Sequence, residues 1–312
     1  MICVLAGGVG AARFLTGLVQ LVPPNQITVI VNTADDINLH GLHIAPDLDT
    51  ITYTLAKVHN AETGWGLANE TWKAMDALRQ LEGPTWFKLG DQDLGTHLYR
   101  TGRLADGIKL TEVTAEITSA FGLEIQLLPM TEERVETRVT LAAEDKEGAE
   151  IGFQEWFVGL NHNSKISAVR FDGIEEAQPG PEVLKTIENA ETIVIAPSNP
   201  IVSIGPILAI PGITESLKNS KNKTVAISPI VAGATIKGPA DQMMADLGYE
   251  PSVVGVADFY SEISKILVID NADTHLANRI EELGTLCSIT NTIMTDEKAA
   301  TDLAKVVLES IF

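Results

Sequence analysis

Short unbroken apolar runs alternate along this chain with stretches whose apolar residues return every three or four positions. ICVLA (2–6), ITVIVN (27–32), ETIVIAP (191–197), TVAISPI (224–230) and KILVID (265–270) are of the first kind and predict buried strands. The second kind predicts helices over 11–22, near 49–58, 66–81 and 92–100, and in PEVLKTIENA (181–190), ADQMMADLG (240–248) and DEKAATDLAKVVLESIF (296–312). A short strand is predicted to end at Lys88. Beyond FGLEIQLLP (121–129) the texture changes. RVETRVTLA (134–142), IGFQEWFVG (151–159) and KISAVRF (165–171) alternate or carry β formers, with polar turns between them, which predicts an antiparallel excursion at about 130–175. Alternation of strands and helices then resumes. The pattern predicts an α/β fold, a mostly parallel sheet with helices on both faces, in one domain over 1–312 with a β-rich insertion.

Composition narrows the partners. Hydrophobic content of 45% is ordinary for a globular chain, and no apolar run reaches the roughly 18–20 residues of a membrane span. The apolar start runs into glycines and reads as a first strand, not a signal peptide. A net charge of −20 repels nucleic acid and anionic membranes, so neither is expected as a partner. An anionic ligand would need local positive potential from backbone N–H groups, a helix N-terminus, a few cations or a metal ion. Cys3 and Cys287 lie in apolar strand-like runs and read as free thiols in a reducing cytoplasm.

The first strand ends in LAGGVGAARFLTGL (5–18). Gly8 and Gly10 fit the first two places of a dinucleotide fingerprint, but Arg13 holds the third, and Asn32 ends the second strand where an acidic ribose ligand would stand. No P-loop motif occurs. Gly7, Gly8 and Gly10 still allow close backbone approach to a phosphate or nucleotide at a helix N-terminus. The alternative is a tight turn with no ligand.

VNTADDINLHGLHIAPDLDT (31–50) crowds Asp35, Asp36, Asp47 and Asp49 behind the second strand, with His40 and His43. One acid could cap the following helix. Four in so acidic a chain suit a hard divalent ion, Mg²⁺ beside substrate phosphates. WFKLGDQDLGTHLYR (86–100) places Lys88 beside Asp91 and Asp93, where the acids could equally serve a helix start. His97 and Arg100 read as surface or supporting groups. Ser198, Asn199 and Ser203 follow one strand and Ser228 another, with Lys237 the only cation of its loop; these suit phosphate or base contacts, or local turn bonds. No nucleophile has a matched base and no G-x-S-x-G elbow is present, so positioning and charge neutralisation are indicated, not covalent catalysis.

GGVGAARFLTGL, VNTADD, PDLDT, GWGLANETW, KLGDQDLGTH, LPMTEERVETRV, APSNPIVSIGPIL, SPIVAGATIKGPA and MTDEKAATDLA, in this order, resemble the 2-phospho-L-lactate transferase family of coenzyme F420 biosynthesis. The resemblance covers essentially the whole chain. It implies a Rossmann-like core and a homodimer. It also implies Mg²⁺-dependent transfer of a phospho-carboxylate unit from a guanosine-diphosphate-linked donor to the deazaflavin Fo, with release of GMP. Asp49 and Lys88 match the family's deazaflavin-contacting positions, and Asp49 is the first choice for orienting or deprotonating the attacking hydroxyl. Trp65, Trp72 and Trp86 are candidates for the deazaflavin pocket or for core packing. A sister group that binds a UDP-linked sugar and regulates is the alternative.

Overall fold

The structure is a computed structural model, and it describes residues 1–142 and 148–311. Residues 143–147, inside the expected insertion, and Phe312, at the end of the last expected helix, lie outside the described residues.

In chain order, β1 (Ile2–Ala6) runs through Gly7 into α1 (Gly8–Leu18), and β2 (Ile27–Val31) lies beside β1. A hairpin of β3 (Ile37–Leu39) and β4 (Leu42–Ile44) leads to α2 (Pro46–Leu55). Helices α3 (Lys73–Gln80), α4 (Asp93–Ala105) and α5 (Leu110–Ala120) precede β5 (Gln126–Pro129). The excursion is β6 (Glu136–Leu141), β7 (Glu150–Gly152) and β8 (Ile166–Asp172), an antiparallel sheet in the order β7-β6-β8. The chain returns through β9 (Thr192–Ile195), β10 (Thr224–Ile227), the short hairpin β11 (Ile230–Val231) and β12 (Ala234–Thr235), β13 (Ile266–Asp270) and β14 (Leu286–Thr290).

The main sheet has the order β14-β13-β10-β9-β1-β2-β5, and every ladder in it is parallel. The chain winds outward one way from β1 and the other way from β9, so the switch point lies between those two strands. Ligands bind at such a point, outside the strand C-termini. Successive residues of β1 face opposite cores, as the strand period requires. Cys3 and Leu5 join Ile195, Leu267 and the buried Trp156 on one face. Val4 and Ala6 join Phe14, Leu15 and Leu303 on the other, under α1, α2 and the C-terminal helix Glu297–Glu309. Ile187, Leu217 and Val256, from helices Val183–Asn189, Ile213–Asn219 and Val253–Tyr260, pack on the Cys3 face, so helices cover both faces, as the pattern predicts. Gly17 lets α1 meet that last helix: a Cβ there would stand 2.2 Å from the Ala300 carbonyl carbon.

Several local expectations change. No strand precedes Lys88. The helix expected over 66–81 shrinks to Lys73–Gln80, because Gly64, Gly66 and Asn69 all take positive φ and keep the preceding segment irregular. The strand expected over 151–159 stops at Gly152, and Glu155–Gly159 closes as a π-turn that buries Trp156 with its indole donating to the Ser164 carbonyl at 2.9 Å. No single helix among the described residues is long and apolar enough to cross a membrane.

Candidate active site

A cavity of about 460 Å³ opens at the C-terminal edge of β1 and β2. Its floor is the glycine loop. Gly7 is extended and Gly8 has φ +71°, so the chain turns sharply out of β1 and starts α1 at the crevice, where the Gly8 N–H donates to the Asp47 carboxylate. At Gly10 a Cβ would lie 2.1 Å from the Pro197 carbonyl oxygen, so glycine there allows the loop after β9 to lie against α1. The Ser198 hydroxyl locks the two loops together, donating to the Gly7 carbonyl at 2.7 Å and accepting from the Gly7 N–H at 3.2 Å. Ser198 is thus a brace for the loop and does not line the cavity, whereas Asn199 and Ser203 do. The Asn199 carboxamide oxygen also accepts the N–H groups of Ile201 and Val202. Ser228 lies apart, on a cavity of about 80 Å³ further along the sheet edge, with its hydroxyl donating to the Ile230 carbonyl.

The four aspartates of the second segment are all buried, at 5–8% exposure, but they are not equivalent. Asp47 and Asp49 fall in the first turn of α2, where the helix dipole favours negative charge. Asp49 receives both terminal nitrogens of Arg100, from α4. Asp36 takes the His43 ring at 2.8 Å. Asp35 and Asp47 have no cationic partner among the described residues, and both line the cavity. Asp47 accepts from the Asn32 carboxamide at 3.0 Å, which gives the polar end of β2 its role. Asp35 Oδ1 is buried with no hydrogen-bond partner. Burial pushes the Asp47 carboxyl up to about 7, with the Asp36 charge adding to it against the Asn32 bond. Burial, and then the charge of Asp47, holds Asp35 well above the usual carboxylate range.

Around Asp49 lies a buried polar network whose Tyr53, Asp93 and His97 also line the cavity, with His97 Nε2 and Arg100 Nε left without a hydrogen-bond partner. His97 stands 3.7 Å from Asp49 and 3.4 Å from Asp93, and the Tyr53 hydroxyl donates to Asp93 at 2.7 Å. Asp93 stays below its usual range although burial opposes this, because His97 and Tyr53 stabilise its charge. His97 and Arg100, expected as surface or supporting groups, are 1% and 2% exposed and support Asp49, which sits 51 residues before Arg100, beyond any local pattern. Asp49, Asp93 and His97 offer ligand atoms within 4.8 Å of one another and could hold a metal ion, but Arg100 already stands there as counterion.

Lys88 lines the cavity mouth and pairs with no carboxylate among the described residues. Two reciprocal caps hold its segment. Glu70 accepts the N–H groups of Gln92 and Asp93 at the start of α4, at 2.8 and 2.7 Å. Asp91 accepts those of Lys73 and Ala74 at the start of α3, both at 3.0 Å. The aromatic wall differs from expectation. Trp65 lines the cavity, but Trp72 and Trp86 do not, and none of the three is buried. Tyr53, Phe87, Phe153 and Phe157 complete the wall, the last two stacked 5.5 Å apart. The two phenylalanines come from the IGFQEWFVG segment, whose alternation suggests a strand and hides them.

The sequence profile described as 2-phospho-L-lactate transferase CofD matches residues 2–311. The phosphoenolpyruvate transferase of Streptomyces coelicolor is 42% identical over 309 residues, which cover 98% of this chain and 97% of the relative. That of Streptomyces griseus is 43% identical, covering 99% and 97%. The 2-phospho-L-lactate transferase of Methanosarcina mazei is 36% identical, covering 98% and 99%. In structure the chain is similar to a UPF0052-family protein of Bacillus halodurans, with TM-scores of 0.62 and 0.63 in two crystal structures, 98% coverage of both chains and 19% identity, which speaks to the fold alone. With profile and relatives aligned along their whole lengths, the chain belongs to the 2-phospho-L-lactate transferase CofD family.

Proposed function

We propose that this transferase of coenzyme F420 biosynthesis moves a phosphoenolpyruvate-type unit from a guanosine-diphosphate-linked donor to a hydroxyl of the deazaflavin Fo, releasing GMP. The observation that carries this reading is the convergence in one cavity of the glycine loop, the PDLDT carboxylates, Lys88 and an aromatic wall. A planar deazaflavin suits the aromatic face, and phosphates suit the N-terminus of α1. The phosphoenolpyruvyl unit is favoured over phospholactyl because the Streptomyces relatives named phosphoenolpyruvate transferases match at 42% and 43%, against 36% for the Methanosarcina mazei enzyme. A UDP-sugar regulator finds no support in these relatives.

The residues divide the work. Asp49 orients the acceptor as a fixed hydrogen-bond acceptor. A proton on it would break its buried pair with Arg100, so its charge, not its basicity, is what the site uses. Lys88 holds the deazaflavin at the cavity mouth. Gly7, Gly8, Asn199 and Ser203 cradle the phosphates, while Gly10, expected with them, packs against the Pro197 carbonyl and lies outside the large cavity. Little covalent work falls to the protein in such a transfer, since positioning and charge stabilisation dominate.

Asp35 and Asp47 fit Mg²⁺: both are oxygen donors, both lack a counterion, and one oxygen of Asp35 is buried without a partner. Asp36 and Asp49, expected with them from the sequence, already have His43 and Arg100. When bound, the ion supplies charge neutralisation at the diphosphate. A cytoplasmic homodimer belongs to the same reading; two free thiols, with burial pushing the Cys3 thiol up to about 12, suit a reducing compartment.

Mass spectrometry of products formed from Fo, the phosphoenolpyruvyl and phospholactyl guanosine diphosphate donors and Mg²⁺ tests the reading. The expected product is Fo carrying the phosphoenolpyruvyl unit, formed in preference to the phospholactyl product, which is two hydrogens heavier. Formation of neither adduct overturns the activity, and preference for the phospholactyl donor overturns the choice of unit.

A further inference from the structure

Seven of the eight arginines in this chain sit in an ion pair with a carboxylate. Arg13 is the exception among the described residues. In a protein with 42 acidic and 22 basic side chains, an arginine left without an acid marks a place kept for some other anion.

Arg13 lies on α1, one turn beyond Val9, and lines the 80 Å³ cavity together with Ser228 and Lys237. Val9 and Lys237 also line the 460 Å³ cavity, so the two spaces adjoin across the first turn of α1. Lys237 donates to the Thr63 carbonyl at 3.4 Å, and its Nζ would lie 2.7 Å from a Cβ at Gly64. It thus holds the 232–238 loop against the segment that carries Trp65. His59, from the same segment, lies within electrostatic range of Arg13 and has a buried ring nitrogen without a partner. Burial and then the Arg13 charge hold both His59 and Lys237 below their usual ranges, the response of cations gathered without an anion. Over the small cavity Ile236 and Ile293 stand 55% and 36% exposed, an apolar shelf that a flat base would cover.

We propose that Arg13, with Lys237 beside it, is the anion subsite that holds the phosphate departing with the nucleotide, while the acceptor occupies the larger cavity. The assignment rests on the transfer reading above and fixes the direction in which the donor lies across α1. When the acceptor oxygen bonds to the phosphorus bearing the carboxylate unit, the bridging P–O bond breaks and its electron pair stays on the nucleotide phosphate. The hydroxyl proton passes to solvent water. Arg13 and Lys237 face the charge that then develops. The side chain that departs from the dinucleotide fingerprint is therefore the one that takes the phosphate.

Calorimetric titration of guanosine, GMP, GDP and pyrophosphate, with UMP as the base control, into wild type, Arg13→Gln and Lys237→Gln tests this, with Fo binding and Tm as checks that each variant folds and keeps the acceptor pocket. Arg13→Gln is expected to weaken GMP, GDP and pyrophosphate at least tenfold, leave guanosine and Fo within twofold, and recover in part in Arg13→Lys. Unchanged GMP and pyrophosphate affinity in a folded Arg13→Gln protein overturns the proposal, as does a wild type that binds none of the three phosphates. A wild type that binds GMP no better than UMP, yet loses both in Arg13→Gln, keeps the anion subsite and overturns the guanosine reading instead.

Discussion

The pair Asp49–Arg100 carries opposite demands. Taking both groups out of water costs several kcal/mol, offset by their mutual bonds, by His97 beside Asp49 and by the Arg100 bond to the His43 carbonyl. Removing Arg100 leaves Asp49 buried and uncompensated, so Arg100→Met is expected to destabilise the fold by about 3–5 kcal/mol in urea denaturation. Asp49→Asn keeps the shape of the side chain. It leaves Arg100 buried without its counterion, so Tm is expected to fall; in the protein that remains folded, transfer is expected to drop by roughly 10²–10³-fold, the scale of one preorganised electrostatic contact, and near-wild-type turnover would remove Asp49 from the reaction. Asp47 gives a pH signature. Its carboxyl is pushed up to about 7 in the fold, against about 3.9 in an unfolded chain. The folded state therefore binds more protons between those values, and this group's contribution, full below about 4, is lost as pH rises through about 7. Metal-free protein is expected to melt lower at about pH 8 than at about pH 5, with a smaller drop in Asp47→Asn. An equal drop in both proteins would place the titration elsewhere.

At the level of elements, what the sequence makes legible depends on range. β1 and β9 are readable because buried parallel strands are unbroken apolar runs, and the glycine loop because tight turns need glycine. PDLDT is readable because acids gather at a helix start. His97 and Arg100 look like surface residues because α4 is polar enough to be exposed, and nothing local says that Asp49 waits across from them. The Glu70 and Asp91 caps are hidden for the same reason: each carboxylate serves the helix that begins beside the other. A local pattern shows an acid near a helix start and assigns it to the wrong helix. The crossed arrangement makes the segment before α3 and the Lys88 segment one unit. Glu70→Ala removes the acceptor for two N–H groups of α4. It is expected to cost about 1 kcal/mol, the range of a lost N-cap, and to raise KM for Fo more than it lowers kcat, because Lys88 loses its support. A change in kcat alone would separate the caps from acceptor binding.

For the whole molecule, the sheet topology and the charge act together. The switch between β1 and β9 opens a crevice at one edge of the sheet, and the protein's net charge of −20 opposes any phosphate that approaches it. On the proposed reading, binding there draws on the N-terminus of α1, the cations at the crevice and a divalent ion at Asp35 and Asp47 together. GDP with Mg²⁺ is therefore expected to raise Tm, since a ligand at 100 times its Kd adds about 2.7 kcal/mol to stability. EDTA should abolish both that shift and transfer, because the two carboxylates would then face the diphosphate with no counterion. UDP-N-acetylglucosamine and NAD should shift Tm far less at equal concentration. NAD lacks the third glycine and the acidic ribose partner it needs here, and Arg13 and Asn32 stand in their places. A larger shift with the UDP-sugar than with GDP would move the chain toward a regulatory role on the same fold. A GDP shift that survives EDTA would mean that the backbone and the cations suffice for binding, and that Asp35 and Asp47 are buried for some purpose other than holding a metal ion.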